Sequence, residues 1–201
     1  MKNVLLFLIL FLYIDTFNNH KYNRVDYKVT VTKKLEKKLI PAIDSLHLVI
    51  GDSQSPYIAN ASDSVELISK VGGESSLWLG GKTVSWLILA LRKYQENEKV
   101  ASVVLSIGTN GGFGKFIKDD ISTLILLVKQ KFPKAKIYAV QGSWGWGGLK
   151  NIKESEVRLY YQKYAELGVI IVEPPIGNIE PHGNKPIYKI IGNNLDSLIS
   201  L

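Results

Sequence analysis

The 201-residue chain contains no cysteine, one methionine and three histidines, His20, His47 and His182. Without cysteine there is no disulfide, no thiol nucleophile, no iron–sulfur cluster and no Cys-ligated zinc, and three scattered histidines leave little for a histidine-rich metal site. No metal and no cofactor is therefore expected. A domain-wide charge of one sign is also lacking. The net charge of +7 divides into +5 over residues 1–38, with eight basic and three acidic residues, and +2 over residues 39–201. A near-neutral folded part does not track phosphates, so nucleic acid is not an expected partner. Gly108, Gly111, Gly112 and Gly114 do not make a GxGxxG, which leaves a dinucleotide site unsupported. Gly81-Lys82-Thr83 imitates the end of a phosphate-binding loop, but Ser76 stands where that loop needs its first glycine. Asn60-Ala61-Ser62 is read as a chance glycosylation sequon. There is no internal repeat and no low-complexity tract.

The longest apolar run, residues 4–14, is the length of a signal-peptide core and short of the ~20 residues that span a bilayer. Residues 1–20 are read as a signal or membrane-anchor segment without an A-x-A-like cleavage site, giving a membrane-anchored or secreted protein. The lysines that follow leave the side of the membrane open. Residues 21–45 are a Lys-rich spacer, and residues 46–201 are the domain. There, short β-rich runs at 46–50, 65–71, 100–107, 136–140 and 169–172 alternate with amphipathic stretches at 83–98, 117–131 and 154–167. A closing helix is expected over 184–201, interrupted near Gly192-Asn193-Asn194. This alternation implies an α/β fold in which a parallel sheet is covered on both faces and ligands sit beyond the carboxyl ends of the strands.

The loops at those ends carry the chemistry. They hold Gly51-Asp52-Ser53 after the first strand, Gly72-Gly73-Glu74-Ser75 after the second and Gly108-Thr109-Asn110-Gly111 after the third, with Glu180-Pro181-His182 before the last helix. A serine hydroxyl becomes a useful nucleophile when a histidine takes its proton, and the oxyanion that forms needs donors already in place. Each block has a plainer reading: Asp52 or Ser53 could cap the next helix, the glycines could serve turns, and His182 could be a surface residue.

Taken together and in this order, the four blocks resemble the SGNH hydrolases, the GDSL esterase/lipase family, over about residues 46–192. The resemblance implies a three-layer α/β/α sandwich with a mostly parallel, flavodoxin-like five-stranded sheet. It places the nucleophile on Ser53, the base on His182, and the oxyanion hole on the N–H of Ser53, Gly73 (Gly72 as fallback) and Asn110. Tyr188 stands where members often have an aromatic residue opening the last helix. The family usually carries Asp three residues before the histidine; that position is Ile179, and the nearest carboxylate is Glu180, which either orients the ring or faces solvent. Trp144 and Trp146, after the fourth strand, could stack on substrate or pack as local core, whereas Trp78 and Trp86 are expected in the core.

The expected activity is cleavage of a carboxylic ester through an acyl-serine intermediate. A small acyl group such as acetate on a carbohydrate or cell-wall polymer is the first choice, and a lipid ester or thioester the second. From another class comes a catalytically degenerate binding or surface protein that kept the fold. Membrane attachment would run through residues 4–14.

Overall fold

The apolar runs become strands of one parallel sheet in a computed structural model that describes residues 46–67, 77–173 and 180–201. They are β1 (Leu46–Gly51), β2 (Glu66–Leu67), β3 (Val100–Ser106), β4 (Lys136–Val140) and β5 (Ile170–Val172), in the order β2-β1-β3-β4-β5. Helices connect them: α1 (Ser55–Ala61), α2 (Val84–Lys93), α3 (Ile121–Lys131), α4 (Glu154–Glu166) and α5 (Lys185–Ile199).

Strand side chains alternate between two cores because successive Cβ atoms point to opposite faces. Leu48, Ile50, Val103, Leu105, Ile137 and Ala139 pack with α2, α3 and α4, while Val49, Val104, Tyr138, Val140 and Val172 pack with α1 and α5. Both faces are thus covered, giving the three layers that near-continuous apolar strands require. The order reverses between β1 and β3, whose carboxyl ends therefore flank an open crevice. The site described below forms around that crevice.

Local chemistry moves several boundaries. Helix α3 begins at Ile121 rather than at 117, because Asp120 accepts the N–H of Thr123 at 2.9 Å and caps it. Helix α2 stops at Lys93, where Tyr94 leaves the helix and packs its ring 5.6 Å from that of Phe132. Of the strand expected at 65–71, Glu66–Leu67 is formed, and residues 68–71 lie outside the described residues.

The expected break in the last helix is absent. Helix α5 runs unbroken through Gly192, Asn193 and Asn194. Ile187, Tyr188, Ile191 and Leu195 form one buried stripe along it. A fully buried side chain of this kind contributes roughly 1.5–3 kcal/mol, which outweighs the ~1 kcal/mol helix penalty of a glycine. Gly192 has a packing role as well: a Cβ there would lie 2.2 Å from the Ala61 carbonyl oxygen at the end of α1.

The apolar segment 4–14 and the Lys-rich spacer lie outside the described residues. Among the described residues no helix is long and apolar enough to cross a membrane.

Candidate active site

Gly51 determines how the chain leaves β1. It has φ +140°, and a Cβ would lie 2.0 Å from the Ser106 carbonyl oxygen, so only glycine permits this approach to β3. The same carbonyl oxygen accepts the N–H of Asp52 at 2.8 Å. Asp52 then turns inward, 1% exposed, and its Oδ1 accepts the N–H of Gln54 at 3.0 Å just ahead of α1. Ser53 remains half-buried on the rim. Neither Asp52 nor Ser53 caps α1, whose N-cap is Gln54 without a side-chain bond; Asp52 instead closes the turn that leaves Ser53 on the rim.

His182 reaches Ser53 from the opposite side of the crevice, immediately before α5. Asn184 caps that helix by accepting the N–H of Ile187 at 3.4 Å, and Pro186 sits in its first turn. His182 Nε2 lies 3.0 Å from Ser53 Oγ, and His182 Nδ1 lies 2.5 Å from Glu180 Oε1. The same carboxylate oxygen accepts the His182 backbone N–H at 2.9 Å. Pro181 does not turn the two side chains apart; Glu180 folds back over it. A carboxylate at Nδ1 calls for the proton on that nitrogen, which leaves the Nε2 lone pair facing the hydroxyl. That is the tautomer a general base needs.

Asn110 lies in a 3₁₀ turn, Thr109–Gly111, just past β3. Its amide donates to Asp52 Oδ2 at 3.2 Å and to the Lys82 carbonyl at 3.1 Å. Gln54 ties the same two loops together through Nε2 to Thr109 Oγ1 at 3.2 Å. Burial pushes the Asp52 carboxyl up to about 7, against the opposing pull of the Gln54 N–H and of His182. One side of the crevice is therefore a cross-tied polar cluster built on a carboxyl sealed from water.

Gly72, Gly73 and Ile179 lie outside the described residues. Beside the serine the structure places a different glycine: a Cβ on Gly80 would lie 3.7 Å from the Ser53 Cβ. The segment leading to it lies along the end of β1, with Gly51 N–H donating to Leu77 O at 2.9 Å and Leu79 N–H to Gly51 O at 3.1 Å. In the sequence this stretch stands out only for its likeness to a phosphate loop. Its glycine pair directly ahead of a helix was the available signal.

The two tryptophans after β4 separate. Trp144 is buried in the core on the α2–α4 face, which is the local-core alternative of its two readings and takes it out of reach of substrate. Trp146 is half-buried, with its ring fixed by Nε1 donating to Ser143 Oγ at 2.9 Å, and it meets His182 edge-on at 5.8 Å between centroids. Trp86 packs partly buried against the same core, and Trp78 is half-buried beside β1. Tyr57 was not anticipated. Its ring, 41% exposed, stacks on Tyr188 at 5.0 Å and stands edge-on to His182 at 6.1 Å. Among the described residues no cluster of His, Asp and Glu could hold a metal ion.

No protein-family model and no curated protein matches the chain. Solved structures do. A GDSL-like lipase from Bacteroides thetaiotaomicron VPI-5482 is 15% identical with a TM-score of 0.52, over 87% of this chain and 97% of the other. A protein classed as an acylhydrolase from Bacteroides fragilis NCTC 9343 is 15% identical with a TM-score of 0.51, over 83% and 93%. A protein classed in the lipolytic G-D-S-L family from Desulfitobacterium hafniense DCB-2 is 14% identical with a TM-score of 0.50, over 77% and 99%. The chain has the three-layer α/β/α fold of the SGNH hydrolases.

Proposed function

We propose that the protein is a serine ester hydrolase with Ser53 as nucleophile, His182 as base and Glu180 as the acid that orients it. The observation that carries this reading is the continuous chain from Ser53 Oγ to His182 Nε2 at 3.0 Å and from His182 Nδ1 to Glu180 at 2.5 Å. The Ser53 oxygen attacks the acyl carbon as its proton passes to Nε2. The carbonyl oxygen becomes an oxyanion facing the Ser53 N–H and the Asn110 amide, with the loop at Gly80 beside it. His182 then gives its proton to the leaving alcohol, and the acyl-serine remains. Water repeats the attack with His182 again as base, releasing the acid and restoring the hydroxyl.

The substrate we favour is a small acyl ester, such as acetate, on a carbohydrate or cell-wall polymer. Trp146 and Tyr57 support it: both rings stand beside His182, offering aromatic surface on which a sugar could pack. We also propose that residues 4–14 export or tether the protein, which fractionation of cells expressing the full chain would test.

Hydrolysis of a panel of acetylated sugars and short-chain nitrophenyl esters, with fluorophosphonate labelling alongside, tests the assignment. The expected result is turnover and labelling by the full chain, both lost in a folded Ser53→Ala variant. Unchanged turnover in that variant would overturn the mechanism.

A further inference from the structure

The Asn110 amide has two N–H groups, and both already have acceptors. One goes to Asp52 Oδ2 at 3.2 Å and the other to the Lys82 carbonyl at 3.1 Å. The two acceptors differ in kind. Asp52 is 1% exposed, sits at the end of β1 and has its other oxygen occupied by the Gln54 N–H at 3.0 Å. The Lys82 carbonyl is neutral and meets Asn110 on the exposed side of the amide. A developing oxyanion competes well with a neutral carbonyl for an N–H and poorly with a buried carboxylate. An oxyanion at this site would therefore displace Lys82 and leave Asp52 in place.

We infer that Asp52 is a positioning residue for ester hydrolysis: its ionised carboxylate holds the Asn110 amide nitrogen toward the crevice, so that the second N–H meets the oxyanion. Without that acceptor the amide can turn over and present its oxygen to the oxyanion, which would repel it. The inference rests on the ester-hydrolase reading above and adds a residue to it.

The charge requirement follows from counting acceptors. Two donors face the two oxygens of Asp52, and a carboxylate can accept both. A protonated carboxyl, or an asparagine in its place, turns one of those positions into a donor. The Gln54 N–H is held by the backbone ahead of α1, whereas Asn110 contributes an exposed side chain that can rotate about its own bonds. Asn110 is the contact that is released. The titratable groups around Asp52 are His182 from the loop before α5, Tyr161 from α4 and Tyr188 from α5. Of these only His182 can bring a positive charge. A buried carboxylate held at a level near neutrality is costly to keep ionised, and an amide that must not turn over is a physical reason for it to be there.

The test is Asp52→Asn, a change of one atom that also removes a buried charge and so should leave the fold at least as thermally stable. The full chain is assayed with p-nitrophenyl acetate and by the rate of fluorophosphonate labelling, next to Asn110→Ala, the double variant Asp52→Asn/Asn110→Ala, and Ser53→Ala. We expect Asp52→Asn to lower kcat and the labelling rate by about tenfold to a hundredfold with KM little changed, somewhat less than loss of an oxyanion donor itself. The double variant should be no slower than Asn110→Ala. A merely structural role for Asp52 would give a lowered melting temperature or losses that multiply in the double variant, and either result overturns the inference, as does a wild-type kcat in Asp52→Asn. Activity that survives Ser53→Ala, or a wild-type protein that neither turns over nor labels, removes the ester-hydrolase reading and the inference with it. A dead Ser53→Ala beside a fully active Asp52→Asn removes the inference alone.

Discussion

The two sides of the crevice solve opposite problems. On one, Asp52 is sealed from water and held by Gln54 and Asn110, with its carboxyl pushed up to about 7 by burial. On the other, Glu180 and His182 face solvent, with side chains 45% and 37% exposed. Even a fully charged pair at this exposure would contribute only about 0–1 kcal/mol to stability, so Glu180 is not there to hold the fold. It sets a direction: one carboxylate oxygen engages both the ring Nδ1 and the backbone N–H of His182, which fixes the ring relative to the chain that carries it. Orientation can be maintained at a wet surface because it needs geometry more than energy. A donor that must resist turning over needs a strong, dry acceptor.

The largest expected effect falls where the two sides meet. Ser53→Ala and His182→Ala should each abolish turnover, and the double variant should be no worse than either, because the pair acts as a unit. Steady-state kinetics on all three variants checks this; losses that multiply would separate the two residues. Next comes the dry side alone. Asn110→Ala should lower kcat on the order of a hundredfold to a thousandfold with KM little moved, since the amide's contact strengthens as charge develops. A rise in KM alone would make Asn110 a ground-state contact.

Glu180→Gln probes the wet side. An amide can still accept from Nδ1 but cannot support the imidazolium as a carboxylate does. Its partial exposure lets water compensate, so we expect a loss of about tenfold to a hundredfold in kcat, smaller than that of Asn110→Ala. If Glu180→Gln proves the more damaging of the two, the ranking of the two sides is inverted.

The smallest effect concerns stability. With the Asp52 carboxyl raised to about 7, the folded chain keeps a proton that the unfolded chain releases at about pH 4. Stability is therefore lost as pH climbs through that window, and the loss is complete above it. Asp52→Asn should be more stable than wild type at about pH 8, on the order of a few kcal/mol, with the difference closing toward about pH 4. Thermal melts at the two pH values decide it, and a gap that widens on acidification would reverse the sign.

Much of this was legible in the sequence because the strands announce themselves and the motifs sit at their ends. β1, β3 and β4 coincide almost residue for residue with the apolar runs, and Ser53, Asn110 and His182 stand on the loops that those runs locate. Tertiary packing was not legible. Gly192 reads as a break in a helix, but it is a notch against the end of α1. Trp144 and Trp146 look alike in sequence, and only the turn between them puts one ring in the core and the other beside His182. Gly80 lies far from the GDS block in the chain, and its proximity to Ser53 arises from Leu77 and Leu79 pairing with Gly51. Asp52 could be read as a turn former, but its grip on Asn110 depends on the crevice between β1 and β3.

The notch at Gly192 also acts as a spacer gauge. Helix α1 starts just after the nucleophile and α5 just after the base, and both lie on the same face of the sheet. Their far ends are clamped by Asp196, which accepts from Ser62 Oγ and from the N–H groups of Asp63 and Ser64. Gly192 sits between that clamp and the site, where the helix backbone touches the Ala61 carbonyl. A methyl group added there would wedge the two helices apart like a shim. The displacement would be felt at the other end of the seam, at the 3.0 Å contact between Ser53 and His182. The spacing of the Ser53–His182 pair thus depends on how closely two helices approach each other at the far end of their seam.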